Sequence, residues 1–138
     1  MTPTIEEREA LFKAFARALF KQDMEALYQT VTPDFVWNYH DGIGGTKCLT
    51  DSTSILNHLE EQKTLFSHQR FHDITYRHFP GSSDGTSKGS EGDPESFMTF
   101  RVSETVQATG EEREQIGIER YTFRDGKIAL KDVYRKPA

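Results

Sequence analysis

Two strand-like runs near the C-terminus, joined by Arg124-Asp125-Gly126, constrain this chain more than any other feature. The first is Gln115-Ile116-Gly117-Ile118-Glu119-Arg120-Tyr121-Thr122-Phe123 and the second is Lys127-Ile128-Ala129-Leu130-Lys131-Asp132-Val133-Tyr134. A connection this short folds one run back along the other, so the chain must build antiparallel sheet here. Side chains two apart share a strand face. That spacing predicts Glu119 beside Tyr121 and Phe123, and Asp132 beside Ile128, Leu130 and Tyr134. An acid on an otherwise apolar face needs a partner, a pocket or water to offset its desolvation. Both acids are therefore first candidates for a small-molecule site.

Upstream the pattern changes to helical spacing. Residues 4 to 22 read as a helix, with Thr4 and Glu7 forming a capping box and Leu11, Phe12, Phe15, Leu19 and Phe20 on one apolar face. Asp23 caps a second, short helix with Met24, Leu27, Tyr28 and Val31 inward, and Thr32-Pro33-Asp34 breaks it. Asp34 is expected to satisfy backbone donors at that corner. Phe35 to Tyr39 reads as a strand, and Asp41-Gly42-Ile43-Gly44-Gly45 as a turn. A third helix starts near Asp51 or Ser52, with Ile55, Leu56, Leu59 and Phe66 as its buried stripe. Strands follow at Arg70 to Phe79 and Phe97 to Ala108, then the terminal pair. Residues 80–95 contain no aliphatic or aromatic side chain, which predicts a mobile hairpin tip. The order of helix, helix, strand, helix and four meandering strands is α+β, with the helices gathered on one face of a curved, mostly antiparallel sheet.

Composition closes off several classes. A chain of 138 residues makes one domain, 1–138, with a single core. A net charge of −5 and scattered basic residues argue against nucleic acid, which needs a basic stripe. No run of eighteen apolar residues is present to span a membrane, and the acidic start Met1-Thr2-Pro3-Thr4-Ile5-Glu6-Glu7 lacks a signal peptide's apolar stretch. Cys48 is the single cysteine, which fits a reducing, cytoplasmic setting, and it reads as a buried or half-buried filler. His72 and His78 share parity on one strand but stand about 20 Å apart at strand rise, so they cannot share a metal. With His58 and His68 elsewhere, no ligand cluster of metal spacing emerges.

The element order, together with particular phrases, resembles the nuclear transport factor 2-like superfamily of cone-shaped α+β domains. The likeness is strongest to its SnoaL-like and ketosteroid isomerase branches. It is carried by Lys21-Gln22-Asp23-Met24-Glu25-Ala26-Leu27, Thr32-Pro33-Asp34-Phe35-Val36-Trp37, Tyr121-Thr122-Phe123-Arg124-Asp125-Gly126-Lys127-Ile128 and Lys131-Asp132-Val133-Tyr134. The resemblance implies three N-terminal helices packed into a bent sheet around a central pocket, with exposed sheet faces pairing into a homodimer. It does not fix an activity, because one scaffold of this kind hosts many.

Residue by residue, the resemblance carries over in part. The base position of ketosteroid isomerases falls on or next to Tyr39, with His40 and Asp41 beyond. Their oxyanion tyrosine position falls on Phe15, which has no donor, and their protonated acid is kept in kind as Glu119. Compared with limonene-epoxide hydrolase-like members, Asp132 and Arg101 match. The second acid position, however, falls on Ser103, and the water-holding positions on Trp37 and Tyr39. The carboxylate–histidine pair of SnoaL-type polyketide cyclases has no equivalent beyond His40 with Asp132 or Glu119.

The candidates are thus Asp132, Glu119 and Tyr39 for catalysis, and Trp37, Phe15, Arg101, Tyr121, Tyr134 and His40 for holding a substrate. Each has a plainer reading beside it. Asp132 fits equally a strand-end ion pair with Arg101 or Lys131, and Glu119 an ordinary cross-strand pair. Arg101 alternates with Met98, Phe100 and Val102, so periodicity sends it to solvent where the resemblance sends it to the pocket. His40 reads as a solvated loop residue, and Trp37 and Tyr39 as packing. The expected function is an isomerase, cyclase or hydrolase of SnoaL-like type, using carboxylate acid–base chemistry on a small apolar molecule and needing no cofactor or metal. The alternative is a non-catalytic ligand-binding or protein-interaction domain of the same fold.

Overall fold

The computed structural model describes residues 3–41, 45–80 and 94–138. Helix α1 spans Ile5–Lys21 behind the Thr4–Glu7 capping box, and α2 spans Met24–Tyr28 behind Asp23, whose side chain accepts from the Ala26 amide. Strand β1 covers Val31–Asp41 and β2 covers Gly45–Leu49. Helix α3, Ser52–Leu65, is capped by Asp51. Strands β3 (Phe66–Phe79), β4 (Glu95–Val106), β5 (Glu112–Arg124) and β6 (Lys127–Pro137) complete the chain. The six strands form one sheet in the order β2-β1-β6-β5-β4-β3, antiparallel except where β1 runs parallel to β6. This is the α+β fold that the sequence implies, three N-terminal helices against a mostly antiparallel sheet.

The terminal hairpin turns at Asp125 and Gly126, both with φ positive (55° and 74°), as a tight turn matched to strand twist requires. The helices cover the concave face, where Phe12, Phe15 and Ala18 of α1, Leu27 of α2 and Ile55 of α3 meet Phe35, Trp37, Tyr39, Tyr121, Phe123, Ile128 and Val133 of the sheet. Arg8 ties α1 to the sheet's edge. Its guanidinium donates to the carbonyls of Phe79 and Glu95 and to the Ser96 hydroxyl.

Several local expectations need correction. The 41–45 turn contains a strand on its far side, since Gly45–Leu49 pairs with β1. Thr32-Pro33-Asp34 lies inside β1, not between elements. The β1–β6 register slips between Val31 and Val36, which frees the proline from donating to the ladder. Asp34 accepts from the Thr32 hydroxyl and pairs with Arg124. Cys48 is exposed. Within residues 80–95, β4 already begins at Glu95; the expected mobile tip lies, for residues 81–93, outside the described residues, as do residues 42–44 of the expected turn.

Two bulges shift the strand periodicity. Thr122 faces Leu130 while Phe123 faces Ile128, so Ala129 is an extra residue on β6. Ile128 therefore points into the core, and Leu130, Asp132 and Tyr134 point outward, against the single face that plain alternation predicts. On β3, the two residues between His72 and Thr75 oppose the one between Arg101 and Thr99 on β4, and Asp73 takes φ 54°. His72 and His78 consequently lie on opposite faces of the sheet.

Candidate functional site

Register sets out the concave face in rows. One row is Trp37, Lys131, Tyr121 and Ser96; the next is Tyr39, Val133, Glu119 and Met98, ending at Tyr76; a third is Asp41, Arg135, Gly117 and Phe100. Three polar groups meet across the first two rows. The Tyr121 hydroxyl donates to Glu119 Oε1, and Lys131 Nζ stands 3.7 Å from the same oxygen. The Lys131 and Glu119 side chains are only 8% and 6% exposed. The ammonium is enclosed by rings, 4.3 Å from the Trp37 ring centre, 4.8 Å from Phe15 and 5.8 Å from Tyr121. Burial lowers the Lys131 pKa against the opposing pull of Glu119, and burial followed by the Glu119 charge raises that of Tyr121. The tyrosine therefore remains a proton donor over the whole neutral range.

The wall around this set is aromatic. Phe12 packs at 4.6 Å on Tyr121 and stacks at 5.5 Å on Tyr76, while Phe15 meets Trp37 edge-on at 6.0 Å. Trp37 Nε1 is buried and donates to nothing among the described residues. On the α3 side His58 touches the Trp37 and Tyr39 rings, at 5.4 and 4.5 Å, and its Nδ1 lies 3.3 Å from Lys47 Nζ. Burial first, then the Lys47 charge, pulls this imidazole down to about 4, so it is neutral at pH 7. Tyr39 is buried, with its hydroxyl 3.4 Å from Asp41 and its pKa pushed by desolvation to about 12. A further buried carboxylate, Glu104, accepts from Gln115 and Gln69 and lies 3.6 Å from Arg113.

Of the residues singled out from the sequence, Glu119, Tyr121, Trp37, Phe15 and Tyr39 share this concave side. Asp132, Arg101, Tyr134 and His40 do not. Asp132 is on the convex side, where it accepts from Asn38 (2.9 Å) and Arg120 (3.1 Å), not from Arg101 or Lys131; Arg120 also grips Glu95. Arg101, 45% exposed, lies between Asp73 and Glu114. His40 is in β1 rather than in a loop and stacks on Tyr134 at 4.5 Å, both outside. The common cause is alternation from the interior positions Tyr39, Val133 and Phe100, each of which sends its sequence neighbours outward. A groove of about 490 Å³, lined by Thr99, Ile116, Ile118 and Tyr134 and reaching Phe100, Gly117 and Arg135 between them, runs along this side of the sheet.

Lys131, His58 and Arg135 were not singled out as interior groups. Lys131 was readable only by placing it with Val133 rather than treating Asp132 as the inward residue. His58 follows Ile55 by one helical turn, a spacing that marks it as inward. Among the described residues, no group of three or more His, Cys, Asp or Glu side chains is placed to hold a metal ion.

A cone of helices and bent sheet with a buried acid on its concave face defines the class of protein, and sequence comparison names the family. Residues 12–131 match the SnoaL-like domain, and the chain belongs to that family. An NTF2-like protein from Burkholderia xenovorans LB400 superposes with a TM-score of 0.66 at 14% identity, over 96% of this chain and 92% of its own. A candidate polyketide cyclase from Xanthomonas campestris pv. campestris gives 0.62 at 15% identity, over 94% and 90%. TerC, crystallised with polyporic acid, gives 0.60 at 18% identity, over 94% and 92%. At these identities the likeness is one of fold. No curated protein matches the chain. No described helix is long and apolar enough to cross a membrane.

Proposed function

We propose that the concave face binds a small, largely apolar molecule bearing a carbonyl or related oxygen, and that Glu119 moves a proton on it. The observation that carries this is the contact of Glu119, Tyr121 and Lys131 inside an aromatic enclosure. Glu119 would take a proton from the carbon next to the carbonyl. Once it is protonated, Tyr121 and Lys131 are free to donate to the oxygen on which negative charge develops, and Glu119 returns the proton to a neighbouring carbon. The unpartnered Trp37 Nε1 is a further donor for a ligand oxygen. Such an isomerase- or cyclase-type proton transfer needs no cofactor. TerC, of the same fold, was crystallised with a small molecule, which supports a ligand role for this interior. Asp132, already held outside by Asn38 and Arg120, is assigned an architectural role.

The test is deuterium wash-in at the α-carbon of small cyclic ketones in D2O, followed by NMR. Exchange that is lost in Glu119→Gln and kept in Asp132→Asn supports the assignment; exchange indifferent to Glu119 removes it. A second reading is favoured by one observation: Glu119 is already engaged by both Tyr121 and Lys131, and no second acid of the predicted pair joins it. A binding module of this kind would show saturable ligand uptake without exchange. We also propose that two copies pair through the convex groove beside Ile116, Ile118 and Tyr134. Sedimentation of Ile118→Glu against the unaltered protein tests that pairing, a monomer being the expected product of the substitution.

A further inference from the structure

Arg135 lies in the third row of the concave face, and its surroundings are of an unusual kind. Its guanidinium carbon stands 5.2 Å from the Tyr39 ring centre, 5.1 Å from Phe71 and 5.5 Å from Phe100. Gly117, its partner on β5, makes room for this cage, because any β-carbon there would collide with the Phe100 ring. Nε and Nη1 of Arg135 are buried, yet they make no hydrogen bond among the described residues. A guanidinium stays charged at every working pH, and its buried N–H groups are costly when unpaired. The nearby carboxylates have donors of their own: Tyr39 for Asp41, and Gln69, Gln115 and Arg113 for Glu104. The charge is thus stacked on three sides and left with hydrogen-bonding capacity to offer.

We propose that Arg135 is the anion anchor of the ligand, and that the ligand is a planar, ring-bearing carbonyl compound carrying a carboxylate. The rings of Tyr39, Phe71 and Phe100 hold the guanidinium in place, and its free N–H groups donate to the carboxylate, a geometry arginine supports better than lysine. Phe71, 42% exposed, marks the side on which the cage opens. Glu119 is two residues from Gly117 on the adjacent strand, so its Cα and that of Arg135 are roughly 8 Å apart by strand geometry. A molecule with one or two fused rings spans that separation, presenting its reacting carbon to Glu119 and its carboxylate to Arg135. The proposal deepens the function given above and shares its premise that a ligand enters the concave face.

The experiment uses naphthalene-2-carboxylate, benzoate and anthracene-2-carboxylate, each beside its neutral carboxamide, titrated into the intact protein by calorimetry. At least one carboxylate is expected to bind tenfold or more tighter than its amide. That preference should vanish in Arg135→Met and weaken several-fold in Arg135→Lys. In the unaltered protein, the Arg135 Nε–H resonance in a 15N spectrum should shift on addition of the carboxylate and not of the amide. This readout decides the matter even if a variant fails to fold. Equal binding of acid and amide across the series, an unmoved Nε–H signal, or a preference retained in Arg135→Met would each overturn the proposal. Arg135-dependent binding without deuterium exchange leaves this site standing and the proton transfer refuted. Exchange on neutral ketones with no Arg135-dependent preference does the reverse.

Discussion

Lys131 and Asp132 are consecutive in the chain, yet their charges act on opposite sides of the sheet. Lys131 reaches Glu119 inside the cone, at 3.7 Å, and Asp132 reaches Arg120 outside it, at 3.1 Å. Alternation at one step of β6 thus separates an interior polar set from a convex ion network.

The interior pair is a buried one, so removing either partner should be severe. Lys131→Met takes the cation from beside the buried Glu119, and a loss of about 3–5 kcal/mol in urea denaturation is expected. The double substitution Lys131→Met with Glu119→Gln should cost clearly less than the sum of the singles, because the uncompensated charge is gone. Additive losses would show that the two side chains do not depend on each other.

On the convex side the expectation is different. Asp132→Asn keeps the shape but removes the charge that Arg120 and Asn38 hold, and should lower stability by about 1–3 kcal/mol. Deuterium exchange and ligand affinity should stay at the level of the unaltered protein. A collapse of exchange with stability retained would return Asp132 to the chemistry.

Much of the architecture was legible because it depends on local chemistry. Thr4 with Glu7, Asp23 and Asp51 mark helix starts by side-chain capping, and Asp125-Gly126 marks the hairpin. The interior placement of Glu119 beside Tyr121 and Phe123 followed from period two, since β5 keeps its phase over that stretch. Asp132 failed under the same rule because the extra Ala129 on β6 breaks the phase between Ile128 and Leu130. The extra residue near Asp73 did the same to His72 and His78. A bulge leaves little trace in composition, so which face a strand residue takes beyond one is decided by pairing with its neighbour. Strand β2 was missed because its five residues bury a single apolar side chain, Leu49, and lie against an edge.

His58 gives the fold a pH dependence of defined sign. The unfolded chain binds this proton below about 6.5, whereas the folded chain, with the imidazole buried against Trp37 and Tyr39, binds it only below about 4. Between those values the unfolded state holds more protons. Stability from this group is complete above pH 6.5 and is lost as pH falls toward 4, by up to about 1.4 kcal/mol per unit. His58→Phe should keep the ring contacts and flatten that part of the curve. The check is the urea stability of the unaltered protein minus that of His58→Phe, which should be larger at pH 7 than at pH 4.5.

Gly117 offers the sharpest test of the concave face's packing. It pairs with Phe100 across β4 and β5, and a β-carbon at 117 would overlap the far edge of that ring. The ring cannot withdraw freely, since Phe71 packs on it at 5.4 Å and Arg135 lies over it. Gly117→Ala should therefore destabilise by about 1–3 kcal/mol, the range for inserting a methyl group where a ring already sits. Phe100→Leu removes the colliding atoms, so the pair of substitutions together should cost less than the two separately. A neutral Gly117→Ala, measured by thermal and urea unfolding, would mean that Phe100 does not rest on β5, and the aromatic cage around Arg135 would lose the wall that the glycine provides.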